Sequence, residues 1–190
     1  MLLLSHDCFA DHVADSQPVE DLASSRLTRG LIAAVRVMVG LLWIENLAWK
    51  HPPVFGDRSD PPTDLYQWTL YGVQNVVFPP WAWFVDNLVL PNFVFFAWAT
   101  FIVEACIGAF LLVGLATRFW ALVGIAQTMA IIFSELRTPN EWFWAYFLMI
   151  AAHVVLFAVA AGRAFGVDGV LRPLWQRNDD LLARALVVAS

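Results

Sequence analysis

Four side chains in this sequence are placed to do chemistry from inside apolar runs: Arg36, Glu104, Gln127 and His153. Glu104 is the most demanding of them, because an ionised carboxylate in hydrocarbon costs at least about 2.5 kcal/mol and therefore has a partner or a job. At 1.5 Å of rise per helical residue, counted from the Arg-flanked end of each run, Arg36 lies about 9 Å deep, Gln127 about 12 Å, His153 about 13 Å and Glu104 about 15 Å. The spacing predicts one polar layer built from four helices. Arg36 is the expected partner of Glu104, with His153 and Gln127 completing the hydrogen bonds.

Two readings of that layer stand side by side. In one it is polar glue that fixes how the helices pack. In the other it is a ligand pocket whose catalytic candidates are Glu104, Arg36 and His153 and whose cofactor contacts are Gln127, Arg36 and His153. His or Arg donates to a carbonyl and Glu passes a proton, chemistry suited to a quinone. A bis-His haem is not expected, since His6, His12 and His51 all lie outside the apolar runs. No metal is expected either: Cys8 and Cys106 form no CxxC and no zinc spacing.

The elements that must position these residues follow from composition. Of 190 residues 60% are hydrophobic and 14% charged, with ten Trp, and the mean hydropathy is +0.65. A soluble domain of this size hides too little surface for that; a bilayer hides it readily. Spanning about 30 Å of hydrocarbon takes about 20 helical residues, and four runs qualify, at 30–49, 92–114, 119–136 and 142–162. Continuous apolar runs with internal Gly and Ala exclude a β-barrel. The expected fold is all-α, an integral membrane four-helix bundle with an extracytoplasmic aromatic loop between spans one and two.

The remaining segments fit that plan. Residues 1–28 read as an acidic cytoplasmic tail without the features of a signal peptide. Between the first two spans, 51–91 carries seven prolines together with Tyr66, Trp68, Tyr71, Trp81 and Trp83. It reads as a lid on the outer membrane surface, with a short helix from Asp64 and a break at Pro79-Pro80. Lys50 is expected to snorkel to the surface, and Glu45, Asn46 and Lys50 read first as an ordinary interfacial cluster, with Glu45 facing the lid as the alternative. Gly40, Gly108, Ala109 and Gly124 read as close-packing points. Arg26, Arg29, Arg118, Arg163, Arg172, Arg177 and Arg184 all fall on one side, which predicts a plasma-membrane protein with both termini cytoplasmic. Residues 176–190 read as an amphipathic segment starting at Asp179 or Asp180, with Leu182 and Leu186 on its apolar face. The net charge of −5 and the lack of a basic stripe exclude nucleic acid as a partner.

Arg36 with Gly40 and Lys50, PNFVFFAWATFIVEACIGAFLLVGLATR from Pro91 to Arg118, and GRAFGVDGVL from Gly162 to Leu171 together resemble the DoxX/DoxD-like membrane proteins. The resemblance spans about 30–175, so 29–175 is taken as the DoxX-like membrane domain. The long aromatic loop is similar to that of the DoxD branch, which includes a subunit of thiosulfate:quinone oxidoreductase. Glu45, Asn46 and Trp49 depart from the family pattern, in which a Gly precedes the Lys of the first span. The resemblance implies a subunit of a quinone-linked membrane oxidoreductase with quinone as cofactor, the lipid bilayer around it and a second protein subunit.

An alternative keeps the membrane location but not the catalysis. It is an accessory subunit that stabilises a larger respiratory or photosynthetic complex or gates quinone exchange, favoured by the absence of redox-centre ligands. A transporter would show inverted repeats or broken helices, and the sequence shows neither. Asp57, Asp60, Asp64 and Asp86 make the outer side acidic. That disfavours the thiosulfate dianion as a substrate of this chain alone.

Overall fold

The computed structural model describes residues 25–57, 61–178 and 180–190, and within these every regular element is helical. Most of the acidic tail, with Cys8, lies outside the described residues, as do Arg58, Asp60 and Asp179. Helix α1, Arg26–Glu45, starts where the Ser25 hydroxyl accepts from the Thr28 amide at 3.1 Å, a side-chain cap on an otherwise orphaned donor. A 3₁₀ turn, Ala48–Lys50, continues it. The lid contains α2, Asp64–Gln74, and α3, Pro79–Phe84.

Pro79 and Pro80 open α3 rather than only ending what precedes it. Proline suits the first turn of a helix because its missing N–H would have no partner there. From α3 the chain runs through a π turn, Val85–Val89, and a 3₁₀ turn, Leu90–Asn92, into α4, Phe93–Val113. The continuous helical stretch is thus 35 residues long, Pro79–Val113, and its α4 part agrees to within a residue with the 92–114 expected from sequence. Pro91 explains the local change of helix type, since it removes one N–H from the ladder. Gly114 ends α4 in the left-handed conformation (φ 71°), and the Leu115 amide reaches back to the Phe110 carbonyl at 3.1 Å, the wrap that glycine permits at a helix C-terminus.

Helix α5, Thr117–Glu135, and α6, Trp144–Ala158, follow. After a 3₁₀ turn, Ala161–Arg163, come α7, Val167–Trp175, and α8, Leu181–Ala189. Among the described residues three stretches are long and apolar enough to cross a membrane: Arg26–Lys50, Pro79–Val113 and Thr117–Glu135. Helix α6 is apolar but has 15 residues, shorter than the expected span 142–162. At the end of the described chain Asp180 caps α8 through the Ala183 amide at 2.6 Å; Ala183 is buried and Leu182 is exposed.

Packing runs α1 on α4, α4 on α5 and α5 on α6, whereas α1 and α6 meet at few points. The core between them holds Val39, Trp43, Ile107, Leu111, Ala121 and Leu156. Helices α1 and α4 approach closely at Gly40 and Gly108, where a Cβ on Gly40 would lie 2.9 Å from the Leu112 nitrogen. Ala109, expected among these close contacts, points outward instead. Lid helix α2 lies against α5, and Trp81 of α3 donates to the Ser134 hydroxyl at 3.0 Å. The lid is thus anchored on α5 and roofs that end of the bundle.

Candidate functional site: a roofed apolar cavity with a buried ion pair

Glu104 sits on the inner face of α4 and meets Lys50, not Arg36. The Lys50 Nζ lies 2.6 Å from Glu104 Oε2, with both side chains almost fully buried. The 3₁₀ turn after α1 brings Lys50 inward, where its ammonium also donates to the Asn46 carbonyl at 2.8 Å and stands 4.5 Å from the Trp49 ring centroid. Asn46 donates to Glu104 Oε2 at 3.1 Å and accepts from the Trp49 indole at 3.0 Å. Gln127 donates to Glu104 Oε1 at 3.1 Å, as its depth predicted. The carboxylate thus has three side-chain donors, and the pair is neutral as a unit. Such pairing is what a buried charge requires.

Arg36 is a correction to the predicted layer. Its guanidinium donates to the carbonyls of Leu111 at 2.9 Å, Leu112 at 3.2 Å and Phe165 at 3.4 Å. Leu111 is seven residues beyond Glu104 on α4, about 10 Å along the axis. Depth counted at the Cα ignored the length of the side chain, which runs toward the helix end where free carbonyls wait. Across the same turn, Asp168 of α7 accepts from the Ala116 and Thr117 amides at 2.7 and 2.9 Å, and its own amide donates to the Gly114 carbonyl at 2.8 Å. Arg36 and Asp168 therefore serve the two helix ends at the α4–α5 turn. A Cβ at Gly114 would fall 2.0 Å from an Arg36 nitrogen.

His153 also departs from the expectation, because it does not bond Glu104. Its Nε2 accepts from the Trp43 indole N–H at 2.9 Å, and its Nδ1 lies 2.7 Å from the Met149 carbonyl. An indole nitrogen only donates and a carbonyl only accepts, so the ring carries its proton on Nδ1 and neither nitrogen is left over. Gly124 makes room for it: a Cβ there would stand 2.3 Å from Nε2.

A cavity of about 810 Å³ opens above this bridge. Its polar wall is formed by Lys50, Glu104, Gln127, His153, Glu135 and Tyr146, and its aromatic wall by Trp43, Trp49, Trp68, Trp81, Phe96 and Trp142. Arg36 is not part of it. Lys50 is the one cationic side chain among the lining residues, against Glu45, Glu104 and Glu135. Met38 and Leu42 of α1 and Leu148 of α6 line it and are more than half exposed, which puts its mouth between the two helices that barely pack. Near the α5–α6 turn Tyr146 joins two carboxylates, with its hydroxyl 2.7 Å from Glu141 and 3.3 Å from Glu135.

A family model described as TQO small subunit DoxD matches residues 75–187, more than half of the chain. This chain belongs to the DoxD family. No curated protein and no solved structure matches it. Of the residues at the cavity and ion pair of this chain, Glu104, Gln127, Glu135, Tyr146 and His153 lie within the matched stretch, while Trp43, Asn46 and Lys50 precede it.

Sequence reasoning missed Lys50 and Asn46 as partners of Glu104. A Lys beside Trp at a helix end ordinarily snorkels to the surface; here the chain turns back at His51 (φ 39°) and the lid closes over it. Lys50 did stand among the residues that carry the family resemblance, and that was the available signal. Glu135 and Tyr146 had none, since a Glu at the end of an apolar run and a Tyr in an aromatic stretch read as interfacial residues.

Proposed function

We propose that this DoxD-family chain is the membrane subunit of a quinone-linked oxidoreductase and that the cavity beneath the lid holds the quinone ring. The observation that carries this reading is an apolar cavity of about 810 Å³ with one buried, fully hydrogen-bonded carboxylate in its wall. Its volume is within the range of small-molecule sites, roughly 300–1,000 Å³. A mouth between α1 and α6 framed by exposed apolar side chains suits a ligand arriving from the lipid phase. A quinone, when bound, supplies a carrier of two electrons and two protons.

Within that site each residue has a definable task. Gln127 and Lys50 are the donors nearest the polar wall, and Glu104 is the group that holds or yields a proton there. His153, with both nitrogens committed, fixes Trp43 and forms the inner end. Arg36 has no part in it. Thiosulfate fits poorly, because a dianion would face Glu45 and Glu135 as well as a lysine already neutralised by Glu104. Electron donation then belongs to a second subunit, in keeping with the small-subunit description of the family.

The membrane arrangement supports the same reading. Helix α6 completes a four-helix bundle with the three spanning stretches, and its 15 residues, about 22 Å, reach across most of the hydrocarbon. Arg26, Arg29, Arg118, Arg163 and Arg172 gather at the end opposite the lid, a bias that supports a cytoplasmic side at that end and an outward-facing lid.

The test is to reconstitute the chain in nanodiscs and titrate a short-chain benzoquinone, following quenching of the cavity tryptophans. Saturable quenching is expected, lost or weakened about tenfold in Gln127→Leu, which removes a donor worth about 1–1.5 kcal/mol. Absence of saturable quenching in the wild type overturns the reading and leaves the accessory-subunit alternative.

A further inference from the structure

Tyr146 has one hydroxyl proton and two carboxylate neighbours. Its oxygen lies 2.7 Å from Glu141 Oε2 and 3.3 Å from Glu135 Oε2. A phenol donates only once, so both contacts are hydrogen bonds only if one of the carboxylates carries a proton and donates it to the phenol oxygen. The shorter contact is the one with Glu141, as expected when O–H donates to an ionised oxygen. Glu135 is then the protonated member.

The positions of the three groups give this arrangement a direction. Glu135 and Tyr146 line the cavity, whereas Glu141 does not and stands half-buried in the α5–α6 turn. Around Glu135 the ionisable side chains are Tyr146 and Glu141 on one side and Glu45, Lys50, Glu104 and His153 across the cavity; the lid residues that line it are not ionisable. Arg137, close in sequence, is exposed and bonded to the Val76 carbonyl at 2.8 Å. Along α5, Glu135 stands eight residues, about 12 Å, beyond Gln127 toward the lid. Protons can therefore enter from the lid end without passing the Arg36–Asp168 turn.

We propose that Glu135, Tyr146 and Glu141 form a proton relay between the surface at the α5–α6 turn and the ligand in the cavity. The cycle balances. Glu135 gives its proton to the ligand and becomes a carboxylate, and Glu141 takes a proton from solvent. Glu141 then donates to the Tyr146 oxygen while the phenol proton passes to Glu135, restoring the starting state with one proton moved inward. This inference rests on the reading of the cavity as a ligand site, and it assigns the side of the protein from which that ligand is protonated.

The experiment has a ligand-free arm and a ligand arm, both on the full chain in nanodiscs. In the first, infrared spectra in light and heavy water are recorded for wild type, Glu135→Gln and Tyr146→Phe. A protonated-carboxyl stretch that disappears in Glu135→Gln and shifts in Tyr146→Phe is expected; its persistence unchanged in both overturns the relay. In the second, short-chain benzoquinone bound to the protein is reduced at an electrode and proton uptake is timed per bound quinone. Glu141→Gln, outside the cavity, is expected to bind the quinone as wild type does yet take up protons roughly 100-fold more slowly. Wild-type uptake rates in Glu141→Gln and Tyr146→Phe overturn the relay while the cavity reading stands. If wild type binds no benzoquinone, the cavity reading fails, and the infrared arm decides by itself whether Glu135 holds the shared proton.

Discussion

The two ends of this helix bundle bury the same kinds of side chain for different purposes. At the α4–α5 turn, Arg36 and Asp168 face backbone, capping the carbonyls that α4 leaves unpaired and the amides that begin α5. Packing there is tight: a Cβ at Gly162 would meet Asp168 Oδ2 and one at Gly114 would meet the Arg36 guanidinium. At the lid end, Lys50 and Glu104 face each other, with side-chain amides filling the remaining positions and a cavity beside them. Buried charge that serves helix termini is architecture. Buried charge that lines a cavity and is paired with another side chain is placed to meet a ligand.

The sharpest way to break that contrast is to remove one charge from the lid end. Glu104→Gln leaves the Lys50 ammonium buried without its counter-ion and should cost about 3–5 kcal/mol, read as a lowered unfolding midpoint in detergent. The double change Lys50→Met with Glu104→Gln removes the orphan and should recover most of that loss. If the recovered protein still binds benzoquinone with wild-type affinity, the pair is structural and the contrast collapses.

Asp168→Ala probes the other end. It strips two charge-assisted bonds from the start of α5 and should destabilise by about 2–3 kcal/mol, while the protein that remains folded keeps its benzoquinone affinity. A loss of affinity larger than the loss of folded protein would show that the turn and the cavity are coupled. The smallest effect belongs to the bridge between the regions. Trp43→Phe leaves His153 Nε2 without a donor, at about 1–2 kcal/mol in the same unfolding assay.

Much of this was legible before any coordinates, for reasons that lie in the chemistry of single side chains. A carboxylate at position 104 demanded partners, and Gln127 was one of them, as its depth in the apolar run implied. The pairing with Arg36 was not legible, because Cα depth says where a long side chain starts and not where it ends. Lys50 was placed at the surface by a rule about helix ends that holds when water lies beyond the end. Here a lid lies beyond it.

Composition and apolar length by themselves determined an all-helical membrane protein, since runs of this hydropathy have no other solvent. The quoted motifs determined its family. Which charges meet was a tertiary decision. It depended on α3 running on through the π turn into α4, on α1 and α6 failing to pack, and on a lid folding back over Lys50. These are relations between segments distant in sequence, and no local pattern encodes them. The ion pair, the cavity and the tyrosine shared by two carboxylates exist only because those segments meet.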